Sequence, residues 1–211
     1  MQISDEQRDA LQELLNIGVG KAAGSLNQIL EKPIRLHIPS ICIGPIQELR
    51  TAIDTDAAEF HASVRLPFHG AFSGSTCLLF PTQSAASLLT VLTGETQDQD
   101  SWDTMKEATL TEIGNIVLNG VMGSLTNVLQ HCITYSVPFY EETTIQQLIQ
   151  PRATQTPEMM LWAQTRFTIE DYNISGDIIL LMGVQDLGCL LQAITALLQT
   201  ADSCHGPTGT R

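Results

Sequence analysis

Positive charge is scarce in this 211-residue chain. Ten lysines and arginines stand against 23 aspartates and glutamates, a formal net charge of −13. A duplex nucleic-acid binder needs a basic face to displace condensed counterions, so that class is excluded. The same deficit disfavours anionic membrane surfaces. Long apolar runs are missing too. None approaches the ~18 residues of a spanning helix, so membrane insertion is not expected. The opening Met-Gln-Ile-Ser-Asp-Glu-Gln-Arg-Asp holds no apolar signal core. Cysteine pairs are absent: Cys42, Cys77, Cys132, Cys189 and Cys204 are odd in number and show no Cys-x-x-Cys spacing. Reduced core thiols in a cytoplasmic protein are the expectation. The histidines His37, His61, His69, His131 and His205 have no zinc-ligand spacing, and no nucleophile elbow supports Ser-His-Asp chemistry.

What the chain does have is a text written twice. Leu11-Gln-Glu-Leu-Leu-Asn-Ile-Gly-Val-Gly-Lys-Ala-Ala-Gly-Ser-Leu-Asn-Gln-Ile-Leu30 returns as Leu110-Thr-Glu-Ile-Gly-Asn-Ile-Val-Leu-Asn-Gly-Val-Met-Gly-Ser-Leu-Thr-Asn-Val-Leu129. At an offset of 99 (112 − 13), Leu11, Glu13, Asn16, Ile17, Gly24, Ser25, Leu26 and Leu30 recur as identities. Later, Ser73, Gly74, Leu78, Leu79, Gln83, Leu88 and Leu89 recur at an offset of 102 (175 − 73).

Local signals order the elements. Ser4 and Gln7 form a capping box for the first helix, and Pro33 follows its end at Leu30. Strands are expected at Ile34–Ile38, at Ala57–Leu66 with Pro67 as its stop, and at Ala71–Phe80. Pro81 takes the favoured first position of a helix that runs to Gly94. Residues 96–101 read as a polar linker. Thr104 and Glu107 form a capping box before the second long helix. Strands at Ile133–Tyr140, Leu161–Glu170 and Ile174–Met182 precede a helix from about Gln185 to Leu198. The Glu141–Met160 connection, with Pro151 and Pro157, reads as an irregular excursion.

Each half is therefore helix, three strands, helix. That order predicts an α+β fold with about six mainly antiparallel strands, not an alternating βαβ array. The halves, about 5–94 and 103–199, are expected to build one pseudo-twofold domain over 1–200 with two long exposed helices. At this length roughly 70% of the unfolded surface can be buried without staples. Residues 201–211 read as a disordered tail.

A turn of about 100° per residue places Leu11, Leu14, Leu15, Gly18, Ala22, Leu26 and Ile29 on one buried stripe. Glu13, Asn16, Gly20, Gly24 and Asn27 fall opposite. In the second copy Leu110, Ile113, Val117, Val121, Leu125 and Val128 form the stripe, and Glu112, Asn115, Asn119, Gly123 and Thr126 the other face. An interior glycine costs roughly 0.5–1 kcal/mol against alanine. Exposed glycines without a local use imply close approach by a second helix or a partner. A lone Glu-x-x-Asn is uninformative, and Glu112 has an alternative role as a capping-box partner of Thr109. Core positions have drifted between the copies (Gly18/Val117, Ala22/Val121) while the Glu and Asn have not, which favours function. Gly18-x-Gly20-x-x-Ala23 spells a dinucleotide fingerprint but lies inside a helix, without the strand-to-helix turn the fingerprint needs. Gly20-Lys21 is no P-loop, because Leu15 and Ala22 stand where Gly and Ser/Thr are required.

Over residues 5–199 the sequence resembles the CheC/CheX/FliY family of bacterial chemotaxis phosphatases. The likeness rests on Glu13-x-x-Asn16-Ile-Gly-x-Gly-x-Ala-Ala, on Glu112-Ile-Gly-Asn115-Ile, and on Gly74…Leu78-Leu79-Phe80-Pro81 with its repeat. Two such helices in one chain look like CheC rather than CheX. The resemblance implies hydrolysis of the phosphoaspartate of a CheY-type receiver in chemotaxis or two-component signalling. It implies Asn16 and Asn115 as water-orienting groups, Glu13 and Glu112 as partners of the receiver's lysine, and Gly20, Gly24, Asn119 and Gly123 as docking positions. It implies no cofactor or metal site of the chain's own, with Mg²⁺ supplied by the receiver, and a CheD-type deamidase as a further partner. The alternative is a non-catalytic module that binds a receiver, a CheD-type deamidase or a flagellar switch. Leu15, where the family often has Gly, and Lys21, where it has a small or polar residue, are departures; they make the second site the expected stronger one.

Overall fold

The computed structural model describes residues 3–37, 40–45, 48–49, 59–94, 102–129, 132–149 and 159–203. The expected linker at 96–101 and the tail from 204 on lie outside them, whereas Ala201–Ser203 end a helix. Two long helices anchor the architecture. The first, α1 (Asp5–Leu30), starts where the sequence says. Ser4 Oγ accepts from the Gln7 N–H at 3.2 Å and Gln7 Oε1 accepts from the Ser4 N–H at 3.1 Å. It stops at Glu31, whose φ of 53° breaks the helical path while its N–H caps the Asn27 carbonyl. The others are α2 (Thr82–Thr93), α3 (Trp102–Leu129), α4 (Ile145–Ile149) and α5 (Val184–Ser203). Gly94 closes α2 at φ 72°. Pro81 is the last residue of a strand and immediately precedes α2, one position earlier than expected. The Thr104/Glu107 box fails, because α3 already runs from Trp102, whose side chain is buried.

The strands are β1 (Arg35–Leu36), β2 (Ser40–Pro45), β3 (Phe60–Gly70), β4 (Gly74–Pro81), β5 (Ile133–Tyr135), β6 (Phe139–Thr144), β7 (Met159–Ile169) and β8 (Ile174–Gly183). They form one antiparallel sheet in the order β1-β7-β8-β4-β3-β5, with β2 also on β7 and β6 also on β3. The fold is α+β as expected, with eight strands among the described residues where about six are expected. β2 was not anticipated. The Ile133–Tyr140 strand is two short strands, β5 and β6. The irregular excursion begins with β6 and α4, and residues 150–158 lie outside the described ones.

Pro67 does not stop β3. It pairs with Ser75 on one side, and on the other its carbonyl accepts from Ser136 N–H at 2.9 Å. The proline nitrogen thus faces the place where the outer ladder passes from β5, at Phe68, to β6, at Arg65, so no ladder bond is lost.

The pairing registers repeat between the halves. Phe68 pairs with Tyr135, and the residues 99 away (167 − 68 and 135 − 36) make the pair Phe167–Leu36. Phe60–Thr144 corresponds in the same way to Met159–Pro45. At the centre, β4 meets β8 with Cys77 opposite Ile179, two residues 102 apart (179 − 77).

Strand alternation sorts side chains to two faces. Ala62, Val64, Leu66, Phe68, Leu78, Phe80, Leu161, Phe167, Ile178 and Leu180 share the main core with α1, α2, α3 and α5. Cys77, Leu79, Trp162, Ile179 and Leu181 point the other way and pack with Leu49 and with Ile145, Leu148 and Ile149 of α4. The thiol expectation holds for Cys77 but not for Cys132 and Cys189, which are exposed; Cys204 lies outside the described residues.

Candidate functional site

The two long helices lie against each other. A Cβ placed on Gly18 would stand 3.0 Å from the Val121 carbonyl oxygen, and one on Gly120 would stand 3.4 Å from Ala22 Cα. These glycines allow the backbones to approach. Because each helix packs on its twin as well as on the layer beneath, the buried arc is wider than one stripe. Val19 and Leu30 join it in α1, and Leu118 and Met122 in α3. Ile29, expected in the stripe, is exposed, and Val128 is half-buried.

Gly114 belongs with the packing glycines. Its Cβ would lie 2.6 Å from Val64 Cβ, so α3 sits directly on β3. The residues 99 before Gly114 and 99 after Val64 are Leu15 (114 − 15) and Ala163 (163 − 64), both buried. Position for position, the glycine and valine of one half correspond to a leucine and an alanine in the other. Accordingly α3 rests on β3, β4 and β6, whereas α1 contacts mainly α3, α5 and the short β1 and β2. The Leu15 departure is thus a packing substitution that leaves Asn16 on the surface.

The remaining glycines face outward. A Cβ on Gly20, Gly24 or Gly123 would meet no atom of the chain within 4 Å. The helix anticipated near them sits at Gly18 and Gly120 instead. Beside them Glu13, Asn16 and Glu112 are exposed and Asn115 is half-buried. Among the described residues neither glutamate side chain has a hydrogen bond or an ion pair. Glu112 and Thr109 lie well inside α3, which rules out the capping-box alternative. Lys21 is exposed at the edge of the same face.

The C-terminal ends of the faces have structural employment. Asn27 Nδ2 donates to the Lys32 carbonyl at 2.7 Å, and Thr126 Oγ donates to the Gly123 carbonyl at 3.1 Å. The open part is therefore Glu, Asn and glycine. The sequence reading missed two features of it. Ile17, next to Asn16, is 40% exposed, an apolar side chain on the rim. In the second copy Asn119 Nδ2 donates to Asn115 Oδ1 at 2.6 Å and to the Asn115 carbonyl at 2.8 Å. The i, i+4 spacing of two asparagines was the available signal for that contact.

Comparison with known proteins follows the same lines. No family model matches the chain. The chain is 27% identical over 139 residues to the CheY-P phosphatase CheC of Bacillus subtilis (strain 168), an alignment covering 64% of this chain and 66% of that one. Its fold matches the crystal structure of Thermotoga maritima FliY with a TM-score of 0.73 and 18% identity, over 93% of this chain and all of that one (100%). These likenesses, in sequence to CheC and FliY and in fold to FliY, support the CheC/CheX/FliY family. The fold also matches the CheX chain solved in a CheX–CheY–BeF3–Mg²⁺ complex from Borrelia burgdorferi, with a TM-score of 0.55 and 19% identity over 82% of this chain and 98% of that one. The chain spans just under two thirds of the CheC relative's length. Among the described residues, no helix is long and apolar enough to cross a membrane.

Proposed function

We propose that this chain is a CheC-like phosphatase that hydrolyses the aspartyl phosphate of a CheY-type receiver. One observation carries the reading: two Glu-x-x-Asn pairs stand on the open faces of adjacent helices, with unpaired glutamates and with glycines whose missing side chains leave room for a partner. The Bacillus subtilis relative is named a CheY-P phosphatase, and the CheX neighbour was solved with CheY carrying BeF3, which stands in for a phosphoryl group.

The chemistry demands little of the phosphatase. Water attacks phosphorus in line, the bond from phosphorus to the aspartyl oxygen breaks, the aspartate leaves as carboxylate, and both water protons depart with the phosphate as H2PO4⁻. Phosphoryl transfer is accelerated mainly by positioning and charge stabilisation. In this proposal the receiver brings the Mg²⁺ and a lysine. Asn16 and Asn115 each offer one donor group and one acceptor, which orients a water without exchanging a proton. Glu13 and Glu112, one turn away, pair with the receiver's lysine and set the docking register.

The test is phosphate release from a phosphorylated receiver with Mg²⁺. Asn16→Ala together with Asn115→Ala should cost about 10²-fold or more, as for other positioned single groups. Of the single changes, Asn115→Ala should cost more. Unchanged release in the double variant would overturn the mechanism. Protection of the phosphoreceiver without faster release would make the chain a binding module.

A further inference from the structure

We infer that Asn119 is a positioning residue for Asn115, and that its absence from the first copy makes the two sites unequal. The inference rests on the phosphatase reading above. Its basis is geometric. Asn119 Nδ2 lies 2.6 Å from Asn115 Oδ1 and 2.8 Å from the Asn115 backbone carbonyl. An NH2 group has two hydrogens, so one nitrogen can serve both oxygens. The Asn115 side chain is thereby tied to its own helix. Its oxygen is turned toward Asn119 and keeps a second lone pair; its NH2 is left for other partners. A carboxamide otherwise rotates about a broad terminal torsion with two nearly equivalent faces. Fixing which end is oxygen decides whether an approaching water meets an acceptor or a donor.

The first copy lacks this device. Position 20, four residues after Asn16, is Gly20, and among the described residues Asn16 has no side-chain hydrogen bond. Asn16 is also more exposed than the half-buried Asn115. Nothing about the backbone forbids the missing group: a Cβ on Gly20 meets no atom within 4 Å. Asn119 itself is exposed, so it has no core packing to lose.

The experiment isolates each site. In an Asn16→Ala background only the second site works. There Asn119→Asp, which keeps the shape but removes the donor, should lower kcat roughly 3–10-fold, the worth of one immobilised rotamer-rich side chain, with KM unchanged. Asn119→Ala should do the same. In an Asn115→Ala background only the first site works, and Gly20→Asn should raise its kcat by a similar factor while raising KM, because the new side chain occupies part of the room left for a partner. Melting temperatures monitor folding. A rise in KM at constant kcat would mean that Asn119 docks the receiver rather than aligns Asn115, and would overturn the inference. So would unchanged kinetics in Asn119→Asp while Asn115→Ala still abolishes second-site turnover; that pattern leaves the phosphatase reading standing. If the unmodified chain releases no phosphate, both fall together.

Discussion

Two kinds of glycine share the long helices, and they should respond oppositely to the same substitution. Gly114 is closed off by Val64, whose β-branched side chain cannot swing aside; the added Cβ would lie 2.6 Å from Val64 Cβ. Overpacking of this kind costs roughly 1–3 kcal/mol. For a chain of this size that lowers Tm by roughly 2–10 °C on Gly114→Ala. Gly24 is open, so Gly24→Ala should gain up to about 0.5–1 kcal/mol of helix stability and raise Tm slightly. On the proposed function its cost should appear in binding, as a higher KM for the phosphorylated receiver, because the new methyl group takes up room on the face proposed to dock it. Thermal melts and steady-state kinetics on the two variants check this. A fall in Tm for Gly24→Ala would show that the face is not open. At this scale the sequence was legible in part. The Glu-x-x-Asn pairs were visible because both copies keep them. The helical angle also set Gly18 apart from Gly20 and Gly24; what it could not show is what each buried glycine meets, Val121 for Gly18 and Val64 for Gly114, because those neighbours lie far away in sequence.

At the scale of elements, boundaries set by local chemistry were readable and those set by packing were not. The Ser4–Gln7 box starts α1 because its hydrogen bonds close within one turn. The Thr104–Glu107 pair mimics it, but α3 extends back to Trp102 and buries that ring. β2 escaped notice because Ser40-Ile-Cys-Ile-Gly-Pro45 carries glycine and proline, residues tolerated on an outer strand. The contact between α3 and β6 also joins distant segments. Lys106 Nζ lies 2.7 Å from Glu142 Oε1, and Tyr140 Oη donates to the same oxygen at 3.0 Å. The hydrogen bonds from Lys106 and then Tyr140 hold the Glu142 carboxyl below its ordinary range. Burial and the bond to Glu142 push Tyr140 up to about 12. A carboxylate with a depressed folded pKa adds stability above its unfolded value of 4.5, and that stability is lost as pH falls through the lower folded value. The glutamate is half exposed, so the contribution should be only roughly 0.2–1 kcal/mol. Glu142→Gln should therefore lower stability near pH 7 by that much and leave it unchanged well below the folded pKa. Denaturant midpoints across the acid range test it; an equal loss at all pH values would assign the effect to packing instead of charge.

The whole molecule is not two halves side by side. β1 and β2 come from the first half yet pair with β7 of the second, and β5 and β6 come from the second yet pair with β3 of the first. The halves meet again at β4–β8 and at the α1–α3 contact. The repeated text pointed to two similar units and to a mainly antiparallel sheet. It gave no sign of the exchanged strands, since pairing partners lie roughly a hundred residues apart and leave no local trace. The exchange has a consequence for folding. Cut between 94 and 102, the first piece keeps, among the described residues, only the β3–β4 pairing and the second only β7–β8. A lone two-stranded hairpin is marginal in water, and each would bare an apolar face and two unpaired edges. Fragments 1–98 and 99–211 should each be largely unfolded or aggregating when expressed alone. Mixed at equal concentration from denaturant, they should recover the far-ultraviolet signal and the cooperative melt of the intact chain. Because α1 and α3 come from different fragments, receiver-phosphatase activity from both sites should return only with the mixture. An isolated fragment with a sharp melt and dispersed amide resonances would show that one half holds itself together, and that the exchanged strands are an addition to a stable unit instead of the means by which either sheet half becomes stable.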